Sequence, residues 1–347
     1  MEYLNFLLET LTIVIAILIC LGGALALVAR GKMAAKKSGT LIIASMAEDL
    51  DEQRDKVEEK ILSSCELKRI RKLRKQEKKE KEKLEKKEAK IAKNKSKKNS
   101  DQFSREPKVF VIRFVGDMQA SAVKGLREQV SAICQIAQKQ DEVICCIESG
   151  GGAVHAYGLA ASQLVRLKSL GLKLTIVIDK IAASGGYLMA SIADELVSAP
   201  FAIIGSIGVL MQLPNFHKAL EDKGIEFEQI TSGKYKRTVT MFGKNTEADR
   251  KKVEGELSQV HDLFKESIVR YRPKLNIKKV ATGEYWLGSD AIKMGLVDRL
   301  GTSDEEIFSA YSAGKGLYEF VFEEKKGFLS KLDKKAQFLF KFFSSKF

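Results

Sequence analysis

The chain reads as an α/β protein with largely parallel strands, preceded by one apolar span and a charged segment. Two observations predict this. From Pro107 onward, short apolar runs alternate with stretches of helical periodicity. The 347 residues are also 45% hydrophobic, enough to bury a sizeable core.

Residues 11–29 carry no charge over 19 positions. A helix of that length, at about 1.5 Å per residue, matches the hydrocarbon core of a bilayer. Ala24-Leu25-Ala26 resembles a signal-peptide cleavage site, but no Lys or Arg precedes the run and Ala24 sits inside it, so an uncleaved single-pass anchor is expected. Glu2 and Glu9 precede the span, while Arg30, Lys32, Lys36 and Lys37 follow it. The positive-inside rule therefore places the C-terminal side in the cytoplasm.

Residues 33–104 read as a basic juxtamembrane linker. Between 66 and 98 stand 17 Lys and Arg against 6 Glu, a net +11 out of +14 for the whole chain. The few apolar residues there cannot build a core, and a solvated helical spacer is expected. Because the basicity is confined to this segment and lacks interleaved aromatics, nucleic acid is not expected as a partner.

From 107 the elements follow in order. A strand is expected at 108–115, an amphipathic helix at 121–138 and a strand at 143–148. Gly150-Gly151-Gly152 then leads into a helix at 155–170. A strand at 174–178 leads to Ser184, and a helical run occupies 187–193. Beyond lie a short strand at 195–198, a helix at 215–223, a strand-like run at 225–231 and a long amphipathic helix at 246–271. In the tail, Leu332, Ala336, Leu339, Phe340, Phe343 and Phe347 recur at helical spacing among lysines, which suits either a packed helix or an interfacial membrane helix. The five cysteines, Cys20, Cys65, Cys134, Cys145 and Cys146, form neither a disulfide framework nor a metal pattern. Cys145 and Cys146 are expected as small buried hydrophobes on opposite faces of one strand.

Acyl transfer needs a nucleophile, a base and an oxyanion site. Ser184, in Ala182-Ala183-Ser184-Gly185-Gly186-Tyr187, lies between a strand and a helix, where a hydroxyl can stand at a sheet edge. A serine at that place also serves as a helix N-cap. The glycine loop leaves backbone amides open, so Gly151 or Gly152 together with Gly185 offers an oxyanion hole. For the base the residues leave His155, His217, His261 and Lys236 as candidates. A lysine qualifies only where desolvation brings its pKa well below about 10.4.

The stretch from 107 to 302 resembles the signal peptide peptidase A (protease IV) family of serine peptidases, and particularly its single-domain inner-membrane members. The motifs are Ala182-Ala183-Ser184-Gly185-Gly186-Tyr187, Ser198-Ala199-Pro200 with Gly205-Ser206-Ile207-Gly208-Val209, Gly233-Lys234-Tyr235-Lys236-Arg237-Thr238, and Ala281-Thr282-Gly283-Glu284. The resemblance implies a ClpP/crotonase-like fold and a catalytic domain over 105–302, between an anchor at 1–32 with its linker at 33–104 and a tail at 303–347. It implies endopeptidase activity without metal or cofactor, on signal-peptide remnants or unfolded and membrane-derived polypeptides. It also implies homo-oligomers, location in a bacterial inner membrane and an extracytoplasmic domain, the last at odds with the flanking charges. It makes Ser184 the nucleophile and Lys236 the base, with Ser206 as a supporting hydrogen-bond partner. Where the family has Ser-Pro-Gly-Gly, this chain has Ser149-Gly150-Gly151-Gly152. Loss of that proline costs about 0.4–1 kcal/mol through unfolded-chain entropy. The rival readings are an inert membrane scaffold of the same fold and a crotonase-like acyl-CoA enzyme, neither of which needs Ser184 paired with Lys236.

Overall fold

The apolar runs expected at 108–115, 143–148 and 174–178 become adjacent parallel strands of one sheet. The computed structural model describes residues 39–95 and 105–324. The span expected at 11–29 and the helical tail expected at 331–347 lie outside the described residues. Among the described residues no helix is long and apolar enough to cross a membrane. Residues 41–321 form one compact unit; of the other unit, 1–40 with 322–347, only the end residues of two strands are described.

The first described elements are β1 (Gly39–Ser45), α1 (Met46–Ile61) and α2 (Ser64–Lys95). Next come β2 (Lys108–Gly116), α3 (Val123–Ile136), β3 (Glu142–Ser149), α4 (Val154–Ser169) and β4 (Lys173–Ile178). They are followed by β5 (Ile181–Ala183), α5 (Gly185–Ala190), β6 (Glu195–Ser198), β7 (Ile203–Gly205), α6 (His217–Glu221) and α7 (Glu247–Tyr271). The remainder comprises α8 (Ile277–Val280), β8 (Tyr285–Leu287), α9 (Gly288–Ala291), β9 (Arg299–Leu300), α10 (Ser303–Ser312) and β10 (Gly316–Glu324).

The main sheet runs in the order β1-β10-β2-β3-β4-β6-β9. A branch leaves it where β5 pairs with the end of β3, continues to β7 and closes on β8, the last pairing being antiparallel. Strand alternation sorts the core into two faces. Phe110, Ile112, Phe114, Val143, Cys145 and Ile147 face one cluster, which helices α3 and α4 cover with Leu126, Val130, Ile133, Leu164 and Leu167. Val109, Val111, Ile144, Cys146, Val177 and Val197 face the other, covered by Ile307 and Ala310 of α10. Cys145 and Cys146 thus lie on opposite faces as expected, and burial pushes the Cys146 thiol up to about 11.

Three expectations from the sequence differ from the structure. Residues 39–61 fall within the expected linker, but they form β1 and α1, and Met46, Ala47 and Leu50 of α1 pack on the second cluster. Three apolar residues in one turn and a half of an otherwise charged helix give too little periodicity to reveal a docked face. Tyr311 of α10 secures α1, accepting from Arg54 and donating to Asp51, each at 2.6 Å. The 32-residue α2 is the charged helix expected, tied to α1 through Arg74–Glu58 and Arg71–Glu59 ion pairs. Residues 303–321 fall within the expected tail, yet they supply α10 and most of β10, which pairs in parallel with β2 and buries Phe320. The strand-like run at 225–231 forms no strand, because no neighbouring strand pairs with it; Phe227 instead meets the Phe242 ring at 5.8 Å.

Candidate active site

Two strand ends converge to build the site. Strand β3 stops at Ser149 and releases the glycine loop, while β5 stops at Ala183 and releases Ser184. The pairing Ser149↔Ala182 sets these exits side by side. On the other flank, Ala183 pairs with Gly205 of β7, whose carbonyl accepts the Ser184 amide at 2.8 Å.

Ser184 holds φ 52° and ψ −120°, a backbone conformation that non-glycine residues rarely adopt and that stores strain. It precedes the first residue of α5, yet its hydroxyl makes no capping hydrogen bond. The N-cap reading therefore does not account for this side chain. Ser184 is partly exposed, whereas Gly185, Gly186 and Tyr187 are buried.

The glycine loop presses directly against this turn. Gly151 adopts φ +88°, and a Cβ there would lie 2.7 Å from both the Gly185 nitrogen and the Ser184 Cβ. A Cβ on Gly152 would lie 2.2 Å from the Met118 carbonyl oxygen, and one on Gly185 would lie 2.5 Å from Cγ of Tyr157. Hydrogen bonding then separates the three candidate amides. Gly151 N–H donates to Ser149 Oγ at 3.1 Å and is occupied. The Gly152 and Gly185 amides donate to no partner among the described residues.

Beneath the loop lies a group that the sequence pattern does not single out. The Tyr157 hydroxyl donates to the Asp117 carbonyl at 2.7 Å and meets Ser149 Oγ at 2.5 Å. Burial raises the pKa of this phenol against the lowering effect of the Ser149 bond, so it remains a protonated donor. Its only signal in the sequence is a single phenol on the buried face of α4, which otherwise carries Ala160, Ala161, Gln163, Leu164 and Leu167.

Lys236 lies on the exposed segment between β7 and α7. Among the described residues its side chain forms no hydrogen bond or ion pair, and its amide donates to the Gly233 carbonyl at 3.1 Å. The neighbouring Tyr235 lies under Lys252 of α7, 5.1 Å from the ring centroid. Ser206, at φ +49°, directs its hydroxyl to the Gly283 carbonyl at 3.3 Å and its amide to the Glu284 carbonyl at 2.6 Å. It serves as a turn beside the Ser184 flank. His155 is exposed, His217 faces Glu221 at 3.9 Å and His261 leaves Nε2 buried without a partner; none bonds to Ser184. The structure thus brings together Ser184, Gly151, Gly152 and Gly185, with Ser206 just past the end of the adjoining strand β7. Lys236 stands on a separate loop.

Comparison with known proteins gives two family matches that together span almost the whole chain: Peptidase family S49 over residues 166–316 and Peptidase family S49 N-terminal over residues 1–164. The probable protease SohB of Haemophilus influenzae is 42% identical over 334 residues, covering 96% of this chain and 91% of that one. A probable protease SohB of Buchnera aphidicola is 55% identical over 206 residues, which span 59% of this chain and 61% of that relative. Protease 4 of Haemophilus influenzae is 29% identical over 170 residues, 48% of this chain and 28% of that one. Among solved structures, the ClpP protease catalytic domain of Plasmodium falciparum aligns over 56% of this chain and 85% of its own length. Its TM-score is 0.36 and its identity 11%, too slight a likeness to argue from.

Proposed function

The chain belongs to peptidase family S49, and from that premise we propose that it is a serine endopeptidase with Ser184 as nucleophile and Lys236 as general base. The observation that carries the reading is the Ser184 turn: a strained, uncapped serine pressed against a glycine loop whose neighbouring amides are unspent. The Ser184 hydroxyl attacks a peptide carbonyl as neutral Lys236 takes its proton. The amides of Gly185 and Gly152 receive the oxyanion. The lysine ammonium then protonates the leaving amine, and water resolves the acyl-enzyme. Gly151 supports the loop and is not itself a donor, since its amide is already committed to Ser149.

Lys236 enters the site, in this reading, when the 206–245 segment is covered. That segment exposes Leu210, Met211, Phe216, Ile225, Phe227, Ile230 and Tyr235, an apolar surface suited to a second copy of the chain. Coverage would also exclude water, the condition under which a lysine amine is held neutral. The reading places the chain in a bacterial inner membrane through an anchor at 11–29, with signal-peptide remnants or unfolded and membrane-derived polypeptides as substrates. Protease accessibility of the domain in spheroplasts assigns its side of the membrane.

A fluorophosphonate probe and casein hydrolysis on wild type, Ser184→Ala and Lys236→Ala test the dyad. The wild type should label and cleave, S184A should do neither, and K236A should lose about 10²–10⁴-fold in rate. Equal labelling or turnover in all three would refute the dyad. Acyl-CoA turnover independent of Ser184 would replace it with the crotonase-like reading.

A further inference from the structure

The buried hydroxyls beneath the glycine loop take no part in the steps above. We propose that Tyr157 and Ser149 are positioning residues that hold the Gly152 and Gly185 amides in register for the oxyanion, an inference that rests on the serine-peptidase reading.

The direction of each hydrogen bond follows from counting protons. Tyr157 is 0% exposed and has one hydroxyl proton. The Asp117 carbonyl can only accept, so that proton goes to it, over 2.7 Å. In the 2.5 Å contact between the two hydroxyls Ser149 must then be the donor. The Gly116 carbonyl, at 3.4 Å, is the weaker competitor for the Ser149 proton. Ser149 Oγ keeps a lone pair for the Gly151 amide at 3.1 Å. The result is a one-way chain from Gly151 N–H through Ser149 and Tyr157 to the Asp117 carbonyl, in which each bond polarises the next.

This chain turns the Gly151 amide inward and so fixes the peptide plane between Gly150 and Gly151. No ring restrains the backbone on the N-terminal side of that plane, because residue 150 is glycine. With its amide fixed and φ at +88°, Gly151 leaves the following amide, Gly152, as the one available to a ligand. The Tyr157 ring acts on the second donor, since a Cβ on Gly185 would come within 2.5 Å of Tyr157 Cγ and 2.8 Å of Tyr157 Cβ. Met118, next to the Asp117 terminus of the chain, accepts the Ala153 amide at 2.8 Å and backs the loop from the far side. Tyr157 thus packs beside Gly185 and reaches the glycine loop through Ser149 and the Gly151 amide.

Steady-state kinetics and fluorophosphonate labelling rates on wild type, Tyr157→Phe, Ser149→Ala, the double variant and Ser184→Ala test the inference, below the melting temperature of each. Y157F keeps the ring and removes only the hydroxyl. Removal of a whole oxyanion donor costs about 10²–10³-fold in kcat, so a loosened donor should cost about tenfold. Y157F and S149A should each lose about tenfold in kcat and in labelling rate, with KM within about twofold. The double variant should fall no further than the weaker single, because both break the same chain. Unchanged kcat and labelling, a loss confined to KM, or losses that multiply in the double variant would overturn the positioning role. An unlabelled wild type, or a labelled S184A, would instead overturn the serine-peptidase reading beneath it.

Discussion

Alanine at position 151 is the sharpest probe of the site. The backbone there holds φ +88°, where an L side chain is strained by about 1–3 kcal/mol. The added methyl would lie 2.7 Å from the Gly185 nitrogen and the Ser184 Cβ, and 2.9 Å from the Ala183 carbonyl oxygen. None of these is the end of a flexible side chain, so the loop itself must move, at about 1–3 kcal/mol for overpacking. The loss of unfolded-state freedom returns about 0.4–1 kcal/mol. Together these leave Gly151→Ala about 1–6 kcal/mol less stable. A shift of the loop by about 1 Å would lower the rate about 10²-fold. Gly158, in α4, is the internal control, since a Cβ there meets nothing within 4 Å and its φ is not positive. Gly158→Ala should gain up to about 1 kcal/mol of helix propensity at wild-type activity. Urea unfolding gives the stabilities, and casein hydrolysis with fluorophosphonate labelling gives the activities. If G151A melted and labelled like the wild type, the close packing of the loop against Ser184 would be wrong.

Other parts of the unit are open to equally direct tests. Gly150 is the one loop glycine with room, since a Cβ added there would lie 3.8 Å from Ile181 Cδ1, so Gly150→Pro should be neutral to about 1 kcal/mol stabilising in urea unfolding. A marked loss would show that the loop backbone rejects proline. Asp141 is buried and ties the start of β2 to the α3–β3 turn through Arg105 and the amides of Lys108 and Gln138. Burial would raise its carboxyl, but those hydrogen bonds outweigh burial and hold the pKa below the ordinary value. The unfolded chain then binds the proton more tightly, so this stabilisation is complete above about pH 4 and is lost as pH falls toward the folded value. Asp141→Asn should cost about 2–3 kcal/mol at pH 7, and the gap from wild type should narrow in denaturant melts below about pH 4; a gap independent of pH would remove the carboxylate from the account. Leu50→Asp should destabilise by about 1–3 kcal/mol, because it places a charge against the cluster beneath α1; unchanged thermal melting would mean that α1 does not share the core.

Much of this molecule is legible in local pattern. Continuous apolar runs mark β2, β3 and β4, whose covered faces leave little room for polar residues, and glycines mark the two turns where backbones meet. Cys145 and Cys146 separate to opposite faces simply because a strand has a period of two. The elements that escape such pattern are those whose role depends on a distant partner. The docking turn of α1 carries three apolar residues, and their value comes from Ile307 and Ala310, more than 250 positions away. Strand β10 resembles any amphipathic segment until it is paired with β2. Conversely, 225–231 has the alternation of a strand and is none, because alternation does not supply a neighbour.

The same division runs through the site. Residue types and spacing are enough to single out Ser184 and the glycines, since a strained turn and a close backbone approach tolerate very few side chains. Which glycine amide remains free is beyond them. It depends on whether Ser149 Oγ already accepts the Gly151 N–H, and so on Tyr157 and the Asp117 carbonyl arriving from two other parts of the chain. Hydrogen-bond ownership is a property of the packed fold, because each donor has one proton and its partner is chosen by proximity in space and not along the chain.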